Sequence, residues 1–486
     1  MLARTLTNAI VGLDARPVEV EAHLQRGLPG FSIVGLPDKA CQEAKERVRS
    51  GVTSAALEWP LRRITVNLAP ADLPKSGSGF DLPIAIAVLA ASRQIDAERL
   101  RGHAALGELA LDGRVRPVPG TLAVAEAARR AGLTHLICSD SSAGEAELSG
   151  IHAVPVADLT EACSYLQGRL EPRAAPKLRK SPESAAAPNL ADVRGQERAR
   201  RALEIAAAGR HPLLLAGPPG TGKTMLARSL PGVLPSLVRE EAIEVTRIHS
   251  VAGLLAPGAG LISRPPLRAP HHTATLVALV GGGPGPRPGE VSLAHRGVLL
   301  LDELPEFSRN TLEGLRQPLE DGTVTVSRAL SRATFPASVL LVATMNLCPC
   351  GARGDARLEC TCRPASMSAY GARVSRALLD RFDLAVIAPR VRASQLSAPA
   401  GESSAVVLGR VSRARQLLRV EDPPLTSRAS GLLDDAVDRL PLSARGRGRT
   451  QRVARTIAAL AGSDTTDTDH VSEALSYRAP ADFNAG

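Results

Sequence analysis

The sequence predicts a multidomain α/β protein whose central domain is a parallel sheet built around a phosphate-binding loop. Three observations carry this expectation. A chain of 486 residues is too long for one ordinary core, and typical domain sizes give a prior of about three domains. An apolar strand, Leu213 to Ala216, runs into Gly217-Pro218-Pro219-Gly220-Thr221-Gly222-Lys223-Thr224, which fits G-x-x-x-x-G-K-T. Downstream, the apolar run Gly297 to Leu301 ends in two carboxylates, Asp302 and Glu303, as expected of a parallel strand covered on both faces.

Composition narrows the classes. The 44% apolar content can fill several cores, and a net charge of +10 favours a polyanionic partner. Aromatic residues make up only 2%, which argues against a platform of stacked bases; nucleic-acid contacts would be mainly electrostatic. The first ten residues lack the apolar core and cleavage site of a secretory signal, and the longest apolar run, Leu82 to Ala91, is too short to span a bilayer. The expected location is therefore cytoplasmic, with no membrane partner. In that compartment the seven cysteines are not a disulfide framework. Cys41, Cys138 and Cys163 read as small core residues, and four others crowd between 348 and 362.

Residues 1–167 alternate strand-like pieces (Val18 to Ala22, Ile64 to Leu68) with helix-like ones (Lys39 to Ser50, Leu82 to Ser92). Residues 168–188 hold four prolines among charges and alanines and read as a linker. Apolar positions 199, 202, 203 and 206 place a helix over Glu197 to Ala208, stopped at Gly209.

The phosphate loop then supplies the chemistry. Its glycines let backbone amides curl around phosphate oxygens, Lys223 reaches the β- and γ-phosphates of ATP, and the Thr224 hydroxyl goes to Mg²⁺. Asp302 is placed to hold the Mg²⁺ shell and Glu303 to orient the attacking water. A further strand, Ser338 to Met345, ends in Asn346, whose amide can hold the same water. Thr323 to Pro336 reads as a hairpin carrying Arg328 and Arg332, two arginines whose residue type alone fits solvated surface as well as a phosphate contact. Gly446 and Gly448 argue against a regular helix start beside Arg445. Cys348-Pro349-Cys350 and Cys360-Thr361-Cys362 offer four thiolates, enough for a closed tetrahedral zinc site; a redox-sensitive cluster or unligated thiols are the alternatives.

Pro74-Lys75-Ser76-Gly77-Ser78-Gly79-Phe80-Asp81, with the following helix and Gly107 to Val115, resembles the proteolytic domain of the Lon family, a ribosomal S5 domain 2-like fold. Aligned on Pro74-Lys75, Gly79 stands at the nucleophile's place, and Thr121-Leu122-Ala123-Val124 offers no lysine, so the expectation is a Lon-like fold without peptidase activity. The order of phosphate loop, Leu-Leu-Asp-Glu and Ala-Thr-Met-Asn resembles the AAA+ ATPases, with the Val251 to Pro288 insertion and the hairpin pointing to the magnesium-chelatase branch. Together with Met345-Asn346, Cys-Pro-Cys-Gly, Leu-Leu-Asp-Arg and Val-Ala-Arg-Thr-Ile, the chain resembles the YifB/ComM family of magnesium-chelatase-like AAA+ ATPases nearly end to end. Leu347 and Ser375-Arg376-Ala377 depart from its usual pattern.

That resemblance implies a Lon-like domain over 1–167, an AAA+ core over 189–391 and a C-terminal helical lid over 392–486. It makes Asn346 a sensor, Arg381 an arginine finger reaching a neighbouring subunit's γ-phosphate, and Arg445 a second sensor. It also implies a homo-hexameric ATPase acting as a DNA helicase or branch-migration factor on recombination intermediates in DNA uptake. A chelatase-like ATPase that remodels a protein partner or inserts a metal ion is the alternative.

Overall fold

The computed structural model describes residues 1–179, 187–283, 286–328, 331–440 and 442–478. Its first sheet has seven strands, β1 (Leu2–Val11), β2 (Asp14–Gln25), β3 (Gly30–Val34), β4 (Arg63–Ala69), β5 (His103–Leu106), β6 (His135–Ser139) and β7 (His152–Val156). Their spatial order is β3-β4-β2-β1-β5-β6-β7. The pairs β1·β2 and β2·β4 are antiparallel, and the rest are parallel. Strict alternation in β4, with Ile64, Val66 and Leu68 buried, turns one face of this half-wet antiparallel region inward.

Three helices of this region matter below, α1 (Ala44–Ser54), α2 (Asp81–Ala91) and α3 (Thr121–Arg130). The stretch expected as one helix over Lys39 to Ser50 is instead a capped turn, Lys39–Gln42, followed by α1. Asp38 accepts from Cys41 N and starts the turn, and the chain re-enters the helix after Glu43. Every residue of α2 is buried, which explains why it shows no amphipathic pattern. Cys41, Cys138 and Cys163 are buried core thiols, as expected.

The second sheet is wholly parallel. After helix α4 (Glu197–Gly209) come strand β8 (Leu213–Ala216), helix α5 (Lys223–Ser229) and helix α6 (Arg239–Val251). Strands β9 (Leu267–Arg268) and β10 (Val298–Leu301), helix α7 (Arg316–Asp321), the hairpin β11 (Thr323–Arg328) and β12 (Ser331–Pro336), and strands β13 (Leu340–Met345) and β14 (Leu384–Ile387) follow. The sheet order is β9-β10-β13-β8-β14. Strands β8, β10 and β13 are buried at every position, as continuous apolar runs between two helical layers require.

Four helices close the described chain, α8 (Ser404–Val420), α9 (Ser427–Arg439), α10 (Ala444–Ala461) and α11 (Thr468–Ser476). The irregular start expected from Gly446 and Gly448 is corrected here: α10 runs unbroken from Ala444 because Ser443 caps it, accepting from Gly446 N at 3.1 Å. In the linker, residues 171–178 have no regular structure, Arg179 bridges to Ala259, and 180–186 lie outside the described residues. No helix among the described residues is long and apolar enough to cross a membrane.

The first sheet's region touches the second's through α6. Gly120 N donates to Ser250 O at 3.1 Å and Arg247 pairs with Glu126 at 3.1 Å. Ser250 Oγ and Leu122 N both donate to Glu145, whose carboxyl burial pushes above its ordinary range.

Candidate functional site

The phosphate loop leaves β8 and enters α5 through glycines that need left-handed backbone. Gly217, Gly220 and Gly222 have φ of 146°, 76° and 87°. At Gly217 a side chain is also excluded by space, because an added Cβ would lie 2.3 Å from Ala388 O. Gly222 is the N-cap of α5, so Lys223 and Thr224 form its first turn, the electropositive end that suits phosphate.

Parallel pairing brings the acidic strand to the same edge. β13 lies between β8 and β10, with Ala216 opposite Met345 and Leu301 opposite Ala343. Asp302, Glu303 and Asn346 therefore emerge beside the loop at the carboxyl ends of their strands. Lys223 Nζ donates to Gly217 O at 2.8 Å, Pro218 O at 2.7 Å and Asn346 Oδ1 at 3.3 Å. Burial pulls its pKa down, while Asp302 and Glu303 push the other way. Thr224 Oγ1 donates to Asp302 Oδ1 at 3.0 Å. Adjacent ligands of an octahedral Mg²⁺ stand about 2.9 Å apart, so these two oxygens are spaced to serve one ion.

Glu303 is held in left-handed backbone, φ 56°, where non-glycine residues are strained. Its N–H donates to Thr344 Oγ1 at 3.1 Å, and that hydroxyl donates to Asp302 Oδ1 at 2.5 Å. One threonine of β13 thus ties both acids of the neighbouring strand. His272, from the insertion between α6 and β10, lies 3.7 Å from the Glu303 carboxylate.

The loop opens on a cleft of about 450 Å³ walled by Gly220, Thr221, Gly222, Arg194, Arg357 and Arg390, with Val193, Met225, Val391 and Leu396 supplying apolar area. Gln196, buried ahead of α4, donates to Thr221 O at 3.0 Å and Pro389 O at 2.7 Å and pins the loop to the strand beyond it. Thr344, Gln196 and the three arginines escaped the sequence reading. The only signal for Thr344 was its place one strand residue before Met345-Asn346.

Arg381 and Arg445 are not in this cluster, nor in the cleft's wall. Arg381 donates to Glu320 of α7 at 2.5 Å, and both Arg381 and Arg445 help hold the Glu320 carboxyl below its usual range. Arg381 is therefore held by a carboxylate of its own, away from the phosphate loop. Arg332 is exposed on the hairpin; the Arg328 side chain lies outside the described residues.

The four cysteines gather as the sequence spacing suggests. Their sulfurs all lie within 4.8 Å of one another, with 3.4 Å between Cys348 and Cys350 and 3.7 Å between Cys350 and Cys360. Backbone N–H donation from Ala352 brings the Cys350 thiol down to about 6. The Lon-like loop assembles differently. Lys75 is fully buried with Nζ on Pro70 O, and Ser78 Oγ donates to Glu108.

A phosphate loop, an acidic strand end and a polar strand end on one edge of a parallel sheet define a nucleotide-hydrolysing core of the AAA+ class. The family models agree: "Magnesium chelatase, subunit ChlI" matches residues 189–396, its C-terminal region 401–478, and "Subunit ChlI of Mg-chelatase" 20–142. Full-length relatives include an uncharacterized protein of Mycobacterium tuberculosis (47% identical over 98% of both chains). YifB of Escherichia coli is 44% identical over 97% of this chain and 96% of its own, and competence protein ComM of Haemophilus influenzae 42% over 98% and 97%. The chain belongs to the YifB/ComM family of magnesium-chelatase-like AAA+ ATPases. Lon protease 2 of Bacillus subtilis is 30% identical over only 28% of this chain.

Proposed function

We propose that the protein is a ring-forming ATPase, hexameric, that drives DNA through recombination intermediates as a helicase or branch-migration motor. One observation carries the reading: Lys223 with Asn346 and Thr224 with Asp302 are joined by direct hydrogen bonds, whereas Arg381 is paired with Glu320 and neither it nor Arg445 lines the cleft. Half of an ATPase site on one surface and its arginines on another is the arrangement a ring needs. In this reading Lys223 and the loop Gly217–Thr224 bind ATP, Thr224 and Asp302 hold Mg²⁺, Glu303 activates water, Asn346 positions it, and Arg381 and Arg445 act on a neighbour's nucleotide. Four thiolates, Cys348, Cys350, Cys360 and Cys362, complete the cofactors with a structural zinc ion. The front unit over 1–167 serves as a non-proteolytic adaptor, and residues 392–486 as the lid.

The net charge of +10 and the name of the ComM relative, a competence protein, support DNA as substrate. Measuring ATPase rate with and without four-way DNA, with Lys223→Ala as blank, tests this. Stimulation that falls steeply with salt is expected. ATPase without DNA stimulation or binding would favour the second reading, a chelatase-like remodeller of a protein or metal site, which the chelatase-subunit matches support. Serine-dependent cleavage of an unfolded substrate would overturn the non-proteolytic reading.

A further inference from the structure

The loop that carries the four cysteines begins two residues after Asn346 and forms part of the nucleotide cleft. Gly351, between the two cysteine pairs, has φ 77° and packs on the phosphate loop; an added Cβ there would sit 2.8 Å from Pro219 Cδ. Farther along, Asp355, its side chain only 1% exposed, pairs with Arg390 at 3.0 Å and accepts from Arg357 N at 2.8 Å. Arg357 and Arg390 then line the cleft beside Gly220–Gly222.

This excursion has almost no core of its own. Of residues 348–362 only Cys348 and Gly351 are buried, and the large apolar side chain Leu358 is 54% exposed. Hydrophobic burial therefore does not hold it against the phosphate loop. What it does contain is the sulfur cluster. A tetrahedral ion about 2.3 Å from each of four thiolates sets the sulfurs about 3.8 Å apart. The three separations among Cys348, Cys350 and Cys360 are 3.4, 3.7 and 3.6 Å, far beyond the roughly 2.05 Å of a disulfide. Arg353 N donates to Cys348 Sγ at 3.2 Å, the support an anionic sulfur ligand takes from backbone.

We infer that the tetracysteine zinc site is a structural part of the ATP site: the metal holds the 348–362 loop against Pro219, and the loop delivers Arg357 as a further nucleotide-binding cation. This rests on reading the 217–224 loop as an ATP site. Its consequence is that a chain stripped of zinc loses nucleotide affinity before it loses its fold, since both sheets are packed independently of the loop.

The test uses the full-length chain, metal analysis by mass spectrometry and titration with a fluorescent ATP analogue. One zinc per chain is expected in the wild type. Cys360→Ser with Cys362→Ser should abolish zinc and weaken nucleotide binding by roughly tenfold or more, with circular dichroism unchanged. Arg357→Ala should keep the zinc and weaken binding several-fold, about the loss of one charge-assisted hydrogen bond. Wild-type protein without zinc, or an Arg357→Ala chain that binds the analogue as tightly as wild type, overturns the inference even if the cysteine variant fails to fold. A wild type that does not bind the analogue at all overturns the ATP-site reading itself, which the Lys223→Ala control identifies separately.

Discussion

Two lysines in this chain lie at the ends of glycine-rich loops that lead into helices, and both are buried, yet they sit in unlike surroundings. Lys223 opens α5 behind Gly222, keeps 8% of its surface, and donates to Asn346 Oδ1 beside Asp302 and Glu303. Lys75, ahead of α2, is wholly buried, donates a hydrogen bond to Pro70 O and is pulled down in pKa by burial against a weaker push from Asp72. Its neighbouring hydroxyl, Ser78, is turned to Glu108, and Asp81 is bound by Arg47 at 2.6 Å. A lysine near glycines thus acquires a chemical role from the polar ends of adjacent strands, which Lys223 has and Lys75 lacks.

The largest test of that contrast is Lys223→Ala, expected to lower ATP hydrolysis by roughly 10²–10³-fold, the cost of removing a donor from a developing charge. Next comes Glu303→Gln, which should cut turnover about 10²-fold while nucleotide affinity stays near wild type, separating water activation from binding. Arg381→Ala should be nearly as inactive alone, but mixing it with Lys223→Ala should restore part of the ATPase, because some interfaces then hold one chain's lysine and another's arginine. A mixture no more active than its parts would remove the shared-site reading. Lys75→Ala should leave ATPase within about twofold and instead cost about 2 kcal/mol of stability, from a cavity and an unpaired Pro70 carbonyl, read as a lower Tm. Loss of turnover in a folded Lys75→Ala chain would break the comparison outright.

The smallest effect is a pH dependence at the contact between the two sheets' regions. Burial raises the folded-state pKa of Glu145 above its ordinary 4.5, so its neutral form is the one the fold favours. Its contribution to stability is full below that value and is lost as pH rises through the raised one. The Tm advantage of wild type over Glu145→Gln should accordingly shrink on going from pH 4.5 upward. An advantage that grows instead would mean that the Ser250 and Leu122 donors outweigh burial.

The sequence was most legible where chemistry sits in consecutive residues. The loop at 217–224 and the strand ends at Asp302 and Asn346 could be read because a turn, a helix start and a parallel strand each have local signatures. Sheet order was not legible, and so neither was Thr344, whose two bonds to Asp302 and Glu303 exist only because β13 lies between β8 and β10. Gln196 was missed for the same reason, since Pro389 is 193 residues away. The four cysteines were legible as a cluster, but it was not legible that their loop packs Gly351 on Pro219 and brings Arg357 to the cleft. Arg445 and its glycines misled in the opposite direction: propensity argued against a helix that one serine cap and tertiary packing secure.

The left-handed backbone of Glu303 bears on stability. A side chain there costs on the order of 1–2 kcal/mol relative to glycine, so the ground state is kept less stable than the same fold could be. Under the role proposed for Glu303, a glycine there would relieve the strain and remove the carboxylate proposed to activate water, giving a sturdier chain with lower turnover. On the proposed role, the strain at Glu303 exchanges some stability for a carboxylate placed at the reaction.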